Sequence, residues 1–268
     1  MPAVGGVARR ATAIKRIRES KIPATVPDQG ERGTSENVLL VDAGDSLAND
    51  QDPARSTQGR TSVEAMNRMG YDAAALGPLD IALGPEVLQD RRQEARYPFL
   101  SANAYDRGAG ERIAEPYLVL PIGGRSVALI GVTGSGSTDR VEVRDPIASL
   151  RDVLRELPDR HDIVIVLSNA GEEVDAQIAR EFPEVDVIVA GGDGPYRDPD
   201  ELRAGLAARF YADMAAPGHA GRHIGSAELR FDSGGQLAEQ SWRRIKLGPE
   251  IPGDPDMLEW VKQAKASQ

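Results

Sequence analysis

Asn37-Val-Leu-Leu-Val-Asp-Ala-Gly-Asp45 and Gly77-Pro-Leu-Asp80 are the two stretches around which the chain reads. The first is a short apolar run, residues 38–41, that ends in Asp42-Ala-Gly-Asp45. Such a run predicts a buried strand delivering a carboxylate into the loop at its C-terminal end. The second repeats the design: Tyr71-Asp-Ala-Ala-Ala-Leu76 runs into Gly77-Pro-Leu-Asp80. In open α/β sheets, ligands and catalytic groups collect at such strand ends. Two of them, each carrying an acid, predict a site for a cation or a phosphate.

Composition narrows the field. A chain of 268 residues fits one large domain or two small ones, and 40% apolar with 28% charged residues suits a globular protein with a real core. Residues 118–132 are the most apolar long run, but Pro121 and Gly123-Gly124-Arg125 divide them into a hairpin, so no transmembrane segment is expected. The absence of cysteine excludes disulfides, thiolate metal sites and a cysteine nucleophile. Residues 1–20 lack the apolar core of a signal peptide. The formal charge of −10 divides into +5 over residues 1–22 and −15 over the remainder. An acidic body argues against nucleic acid as a partner.

Reading along the chain, residues 6–20 form an amphipathic helix with Val7, Ala11, Ile14 and Ile17 on one face and Arg9, Arg10, Lys15, Arg16 and Arg18 elsewhere. Thr61-Ser-Val-Glu64 reads as a capping box for a helix through Met69 that Gly70 ends. A strand over 73–76, a helix over 85–95 and a short strand over 98–103 follow. Residues 117–120 and 126–131 make a hairpin across Gly123-Gly124. Asp145-Pro146 opens a helix, residues 162–168 form a buried strand, and 173–180 and 185–190 continue as helix and strand. Segments 209–212, 224–231 and 236–247 read as strands. A Pro/Gly-rich connection and terminal helix occupy residues 248–268. This order predicts one α/β domain over residues 1–268, a two-sheet sandwich flanked by helices in four layers.

Several stretches together resemble the calcineurin-like metallophosphoesterases of the UDP-sugar hydrolase/5′-nucleotidase type. They are Leu40-Val-Asp-Ala-Gly-Asp45, Glu64-Ala-Met-Asn-Arg-Met-Gly-Tyr-Asp72, Tyr97-Pro-Phe-Leu-Ser-Ala-Asn103, Val127-Ala-Leu-Ile-Gly-Val-Thr133 and Val185-Asp-Val-Ile-Val-Ala-Gly-Gly192. The resemblance covers essentially the whole chain and implies hydrolysis of phosphoesters at two metal ions, held by an Asp-x-His, a Gly-Asp, a Gly-Asn-His-Asp/Glu, a lone His and a Gly-His-x-His. Two adjacent cations polarise the phosphate and generate a hydroxide.

Against that pattern, only Asp45 keeps a ligand position. Gly77-Pro78-Leu79-Asp80 stands where Gly-Asn-His-Asp is expected, and Asp80 matches a group outside the metal shell. Pro78 has no amide oxygen for a metal, and Leu79 cannot donate a proton to a leaving group. Asn169 replaces the lone His, and Gly192-Asp193-Gly194-Pro195 replaces Gly-His-x-His. The Asp-x-His strand has no counterpart, because only Met1-Pro-Ala-Val4 precedes the first matching glycines. None of the three histidines, His161, His219 and His223, falls at a motif position.

Three function classes follow. The first is a non-catalytic phosphoesterase fold serving as scaffold or accessory subunit of a protein complex, with no cofactor and with Arg9, Arg10, Lys15, Arg16 and Arg18 meeting another subunit. The second is a residual hydrolase in which Asp45, Asp80 and Asp193 hold one Mg²⁺ or Ca²⁺. Without a cation, three converging acids are expected to destabilise the fold or raise a carboxylate pKa. The third is a nucleotide or anion module using residues 131–138 and 191–194. The resemblance implies an extracytoplasmic, periplasmic setting, although no signal peptide is read. Loss of the first strand is also expected to expose a sheet edge beside residues 38–41, with three outcomes: the neighbouring strands close up, residues 1–4 fill part of the gap, or another polypeptide supplies the strand.

Overall fold

The computed structural model describes residues 5–20, 37–48, 53–159, 161–191, 208–211, 221–232 and 234–266. Three short parallel strands, β1 (Val41–Asp42), β2 (Ala73–Ala75) and β3 (Phe99–Leu100), form a sheet in that order. A second sheet runs β10-β9-β8-β6-β5, where β5 is Tyr117–Ile122, β6 Arg125–Val132, β8 Ile163–Ser168, β9 Val187–Ala190 and β10 Ala208–Tyr211. The β5–β6 pair is antiparallel and the remainder parallel. Two antiparallel pairs complete the strands: β4 (Ala104–Asp106) with β7 (Val141–Val143), and β11 (His223–Phe231) with β12 (Leu237–Lys246).

Side-chain alternation explains why the two sheets stack. Val127 and Leu129 of β6 and Ile163, Ile165 and Leu167 of β8 share one core with Ala73, Ala75 and Leu100. The intervening Ala128 and Ile130, with Val164 and Val166, turn to the opposite face. There they pack on helices α5 (Pro146–Glu156) and α6 (Glu172–Glu181) through Leu150, Val153 and Ile178. Ala74, Leu76 and Phe99 of the first sheet instead meet α1 (Val7–Ser20), α2 (Arg60–Met69) and α4 (Pro85–Glu94) through Ile14, Met66 and Leu88. Strands covered on both faces are continuously apolar, as β6 and β8 are. The result is the expected sandwich of two sheets between two helical layers.

Most element assignments agree with the sequence reading. Gly123 and Gly124 both take positive φ, 59° and 77°, in the β5–β6 turn. Asp145 caps α5 by accepting from Ala148 N–H at 2.7 Å. The capping box at Thr61 is a correction: α2 begins two residues earlier, after Gly59, with no side-chain cap, and Glu64 pairs with Arg68 at 2.8 Å. Position 61 lies inside the helix, where its N–H meets Thr57 Oγ1 at 3.3 Å. Strands β4 and β7 were not foreseen, because three-residue strands carry too little periodicity to register. Of the expected N-terminal contact residues, Lys15 pairs with Asp254 at 2.5 Å, ahead of α7 (Pro255–Ala266). Arg18 donates to Met69 O at 2.8 Å and Gly70 O at 2.7 Å, covering the C-terminal carbonyls of α2. Cations there are favoured by the helix dipole. Arg18→Met is expected to lower stability by about 1 kcal/mol in urea unfolding, the scale of a partly exposed charged hydrogen bond, while Arg16→Met at the exposed neighbouring position leaves it unchanged.

Candidate functional site

The two acid-bearing strand ends meet. Asp80 opens the short helix α3 (Pro78–Ile81) and is fully buried. Its Oδ2 accepts from Asp45 N–H at 2.8 Å and Gly77 N–H at 3.0 Å. Its Oδ1 accepts from Leu47 N–H at 2.9 Å and, more weakly, Ala48 N–H at 3.4 Å. One carboxylate therefore binds the loop after β1 to the turn after β2. Asp45 reciprocates, its Oδ1 accepting from Leu79 N–H at 2.8 Å. Asp45 sits at φ 62°, in a region that Asp tolerates better than most residues. Asp42 closes an Asx turn on Gly44 N–H at 3.0 Å.

The packing is close enough to dictate residue type. A Cβ on Gly77 would lie 2.1 Å from Asp45 Oδ1, so only glycine lets the two loops approach. Asn169, at the end of β8, is buried and donates from Nδ2 to Ala43 O at 3.0 Å. Gly44 and Gly191 crowd it from either side, since a Cβ on either would come within 3.0 Å of its Nδ2. The sequence reading singled out Asp45, Asp80 and Asn169, and the structure gathers all three. Asp193 and its Pro195 neighbour lie outside the described residues, as does His219. His161 contacts Pro158 O through Nδ1 at 2.8 Å, and His223 Nε2 lies 3.2 Å from Arg244 Nη2, so neither faces this cluster.

Sequence reasoning did not single out the polar group behind the site. Ser101 Oγ and Thr133 Oγ1 lie 2.7 Å apart, Thr133 Oγ1 donates to Leu76 O at 2.8 Å, and Thr133 N–H donates to Asn103 Oδ1 at 2.9 Å. All three side chains are fully buried, and they join the ends of β2, β3 and β6. The signal was present as polar residues closing two apolar runs, Ser101-Ala-Asn103 and Val132-Thr133. Ser168 similarly donates to the buried Asp175 of α6. Two of the glycines proposed for anion binding are closely packed, since a Cβ on Gly131 would meet Leu100 O at 2.3 Å and one on Gly134 would meet Asn169 O at 2.3 Å, while Gly192 and Gly194 lie outside the described residues.

Among the described residues the donor set does not fit a two-metal centre. No imidazole enters the cluster among the described residues, Pro78 and Leu79 offer no side-chain donor, and Leu79 turns outward at 51% exposure. Both oxygens of Asp80 already face main-chain amides, and Asn169 directs its amide at a carbonyl. Among the described residues no three His, Asp or Glu side chains converge on a metal-sized position.

Burial, and next the charge of Asp45, push the Asp80 pKa up to about 7, against the pull of the Gly77 and Leu47 amides. Its folded value thus exceeds its unfolded one, so its contribution to stability is complete below pH 4 and is lost as pH rises to about 7. The unfolding free energy of wild type is expected to fall relative to that of Asp80→Asn over that window, at up to about 1.4 kcal/mol per pH unit, and the difference to stay flat above it. Parallel melts at pH 4 to 8 check this.

No family model matches the chain. The 5′-nucleotidase of Bos taurus is 29% identical over 287 residues, covering 95% of this chain and 46% of that protein. The solved 5′-nucleotidase precursor of Thermus thermophilus superposes with a TM-score of 0.77 at 26% identity, over 99% of this chain and 53% of that one. The calcineurin-like phosphoesterase YfkN of Bacillus subtilis, at 18% identity, shares the fold with a TM-score of 0.75 over 99% of this chain and 90% of its own. The chain spans about half the length of the 5′-nucleotidases it matches. It is a homologue of the 5′-nucleotidases and calcineurin-like phosphoesterases, built on the metallophosphoesterase fold.

Proposed function

We propose that this protein is a non-catalytic member of the metallophosphoesterase fold that works as an accessory subunit of a protein complex. The observation that carries the reading is the use made of the strand-end acids. Asp80 binds main-chain amides of two loops, Asp45 binds the amide of Leu79, and Asn169 binds the carbonyl of Ala43. Positions 45 and 169, which the family pattern assigns to metal ligands, would here hold loops together with the help of Asp80, and a fold survives the loss of its chemistry when its site residues become structural. Hydrolysis by a metal-bound hydroxide needs open coordination positions and a group able to protonate the leaving oxygen. Leu79 and Pro78 supply neither.

The partner surface follows from charge. The N-terminal helix presents a basic face on an acidic chain, and Arg16 on it is exposed. Arg9, Arg10 and Arg16 are proposed to meet an acidic partner, while Lys15 and Arg18 keep the internal bonds described above.

Metal analysis of the purified chain after equilibration with Mn²⁺, followed by assays on p-nitrophenyl phosphate and nucleoside monophosphates, tests the catalytic half. The expected result is less than one tenth of a transition-metal ion per chain and turnover equal to buffer, unaltered in Asp45→Ala. Two bound ions per chain, or turnover that Asp45→Ala abolishes, overturns the reading.

A further inference from the structure

Asp254 makes four hydrogen bonds at the start of α7. Its N–H donates to Ala8 O of α1 at 2.9 Å, and its carbonyl accepts from Leu258 N–H at 2.9 Å. Of its carboxylate, Oδ1 accepts from Met257 N–H at 3.0 Å and Oδ2 from Lys15 Nζ at 2.5 Å. The first of these side-chain bonds is a helix N-cap, which takes the amide three residues on, and Pro255 fills the first helical position behind it. The second ties the same carboxylate to α1. Asp254 is buried, whereas the Lys15 side chain is 59% exposed. One residue therefore both starts α7 and fastens it.

The rest of α7 is lightly held. Met257, Trp260, Val261 and Ala264 form its inward stripe, at the three- and four-residue spacing of one helix face. Only Met257 is buried, where it joins Ala8, Ile14, Met66 and Met69 in the core of α1 and α2. By comparison α2, a shorter helix, buries Val63, Ala65, Met66 and Met69. Trp260 is half-buried, with the guanidinium of Arg68 lying 5.4 Å from its ring centre. Among the described residues, the cores on both faces of β6 and β8 include nothing from α7. A helix of 12 residues is marginal in water once its packing is gone. Release from α1 would consequently unwind it, because the cap and the Lys15 bond share one carboxylate.

We propose that α7 is a strap that docks and folds in one step and opens while the two sheets stay folded. Closed, it covers the parts of α1 and α2 that pack against Met257 and Trp260. Open, it bares that apolar surface and leaves Lys15 without its carboxylate. Such local unfolding takes the segment with the fewest buried contacts, which opens far more often than the whole domain. Asp254 and Lys15 set how often. Opening does not depend on whether the strand-end site binds metal.

Amide hydrogen exchange of the full chain, read by mass spectrometry on peptides covering α7, α2 and β8, tests this. In wild type the α7 amides are expected to exchange at least tenfold faster than those of α2 and β8. Their denaturant dependence is expected to be well below that of β8, as suits a small area exposed on opening. Lys15→Met speeds exchange in α7 at least threefold and leaves α2 and β8 unchanged. Asp254→Asn, which keeps a capping oxygen, has a smaller effect than Asp254→Ala, which removes cap and pair together. Exchange of α7 at the rate and with the denaturant dependence of β8 overturns the proposal, because the helix then opens only with the whole domain. So does a Lys15→Met variant whose α7 exchanges as in wild type, or one in which α2 and β8 speed up as much as α7.

Discussion

Everything at the carboxyl ends of the first two strands depends on one buried carboxylate. Asp80 holds main-chain amides from both sides: Gly77 in its own turn, and Asp45 and Leu47 in the loop after β1. A buried amide without an acceptor costs about 1–3 kcal/mol, so the two loops are organised as a unit by a single side chain. Gly77 follows from it, because the approach leaves no room for a Cβ beside Asp45. So does the outward turn of Leu79, whose amide is drawn to Asp45 Oδ1. The same carboxylate sits at an electrostatic disadvantage, buried and near a second acid, and this is the strain the site retains.

That arrangement bears on function by its chemistry. In a two-metal hydrolase the strand-end acids face outward to cations, and their mutual repulsion is relieved by the ions. Here backbone amides surround the Asp80 carboxylate, and Asn169 secures the loop on Ala43 at a position where the family pattern has an imidazole. The chain shares the fold of its 5′-nucleotidase relatives. Stability comes from loop-to-loop hydrogen bonding and from the two-sided burial of β6 and β8.

Much of this was written in the chain. The apolar runs of β6 and β8, the Gly-Gly turn between β5 and β6, Asp145 before Pro146, and the close of α2 at Gly70 all act over a few residues, so local pattern determined them. The sequence also marked Asp45, Asp80 and Asn169 as the residues to watch, because they stand at the ends of buried strands. It could not say what they bind. That Asp80 reaches the amides of Asp45 and Leu47, and that Asn169 reaches Ala43, are contacts across 33 to 126 residues of chain. The start of α2 was misjudged for a related reason: Thr61-Ser-Val-Glu64 has the letters of a capping box, but the helix start is set by the turn at Gly59 packing on Leu47. Lys15 and Arg18 read as cations meeting another subunit, whereas tertiary packing brings Asp254 and the carbonyls of α2 within their reach. Sequence decided which residues are apolar, charged or free of a Cβ; only the folded arrangement decided which polar atoms meet, because hydrogen bonding depends on distance in space and not along the chain.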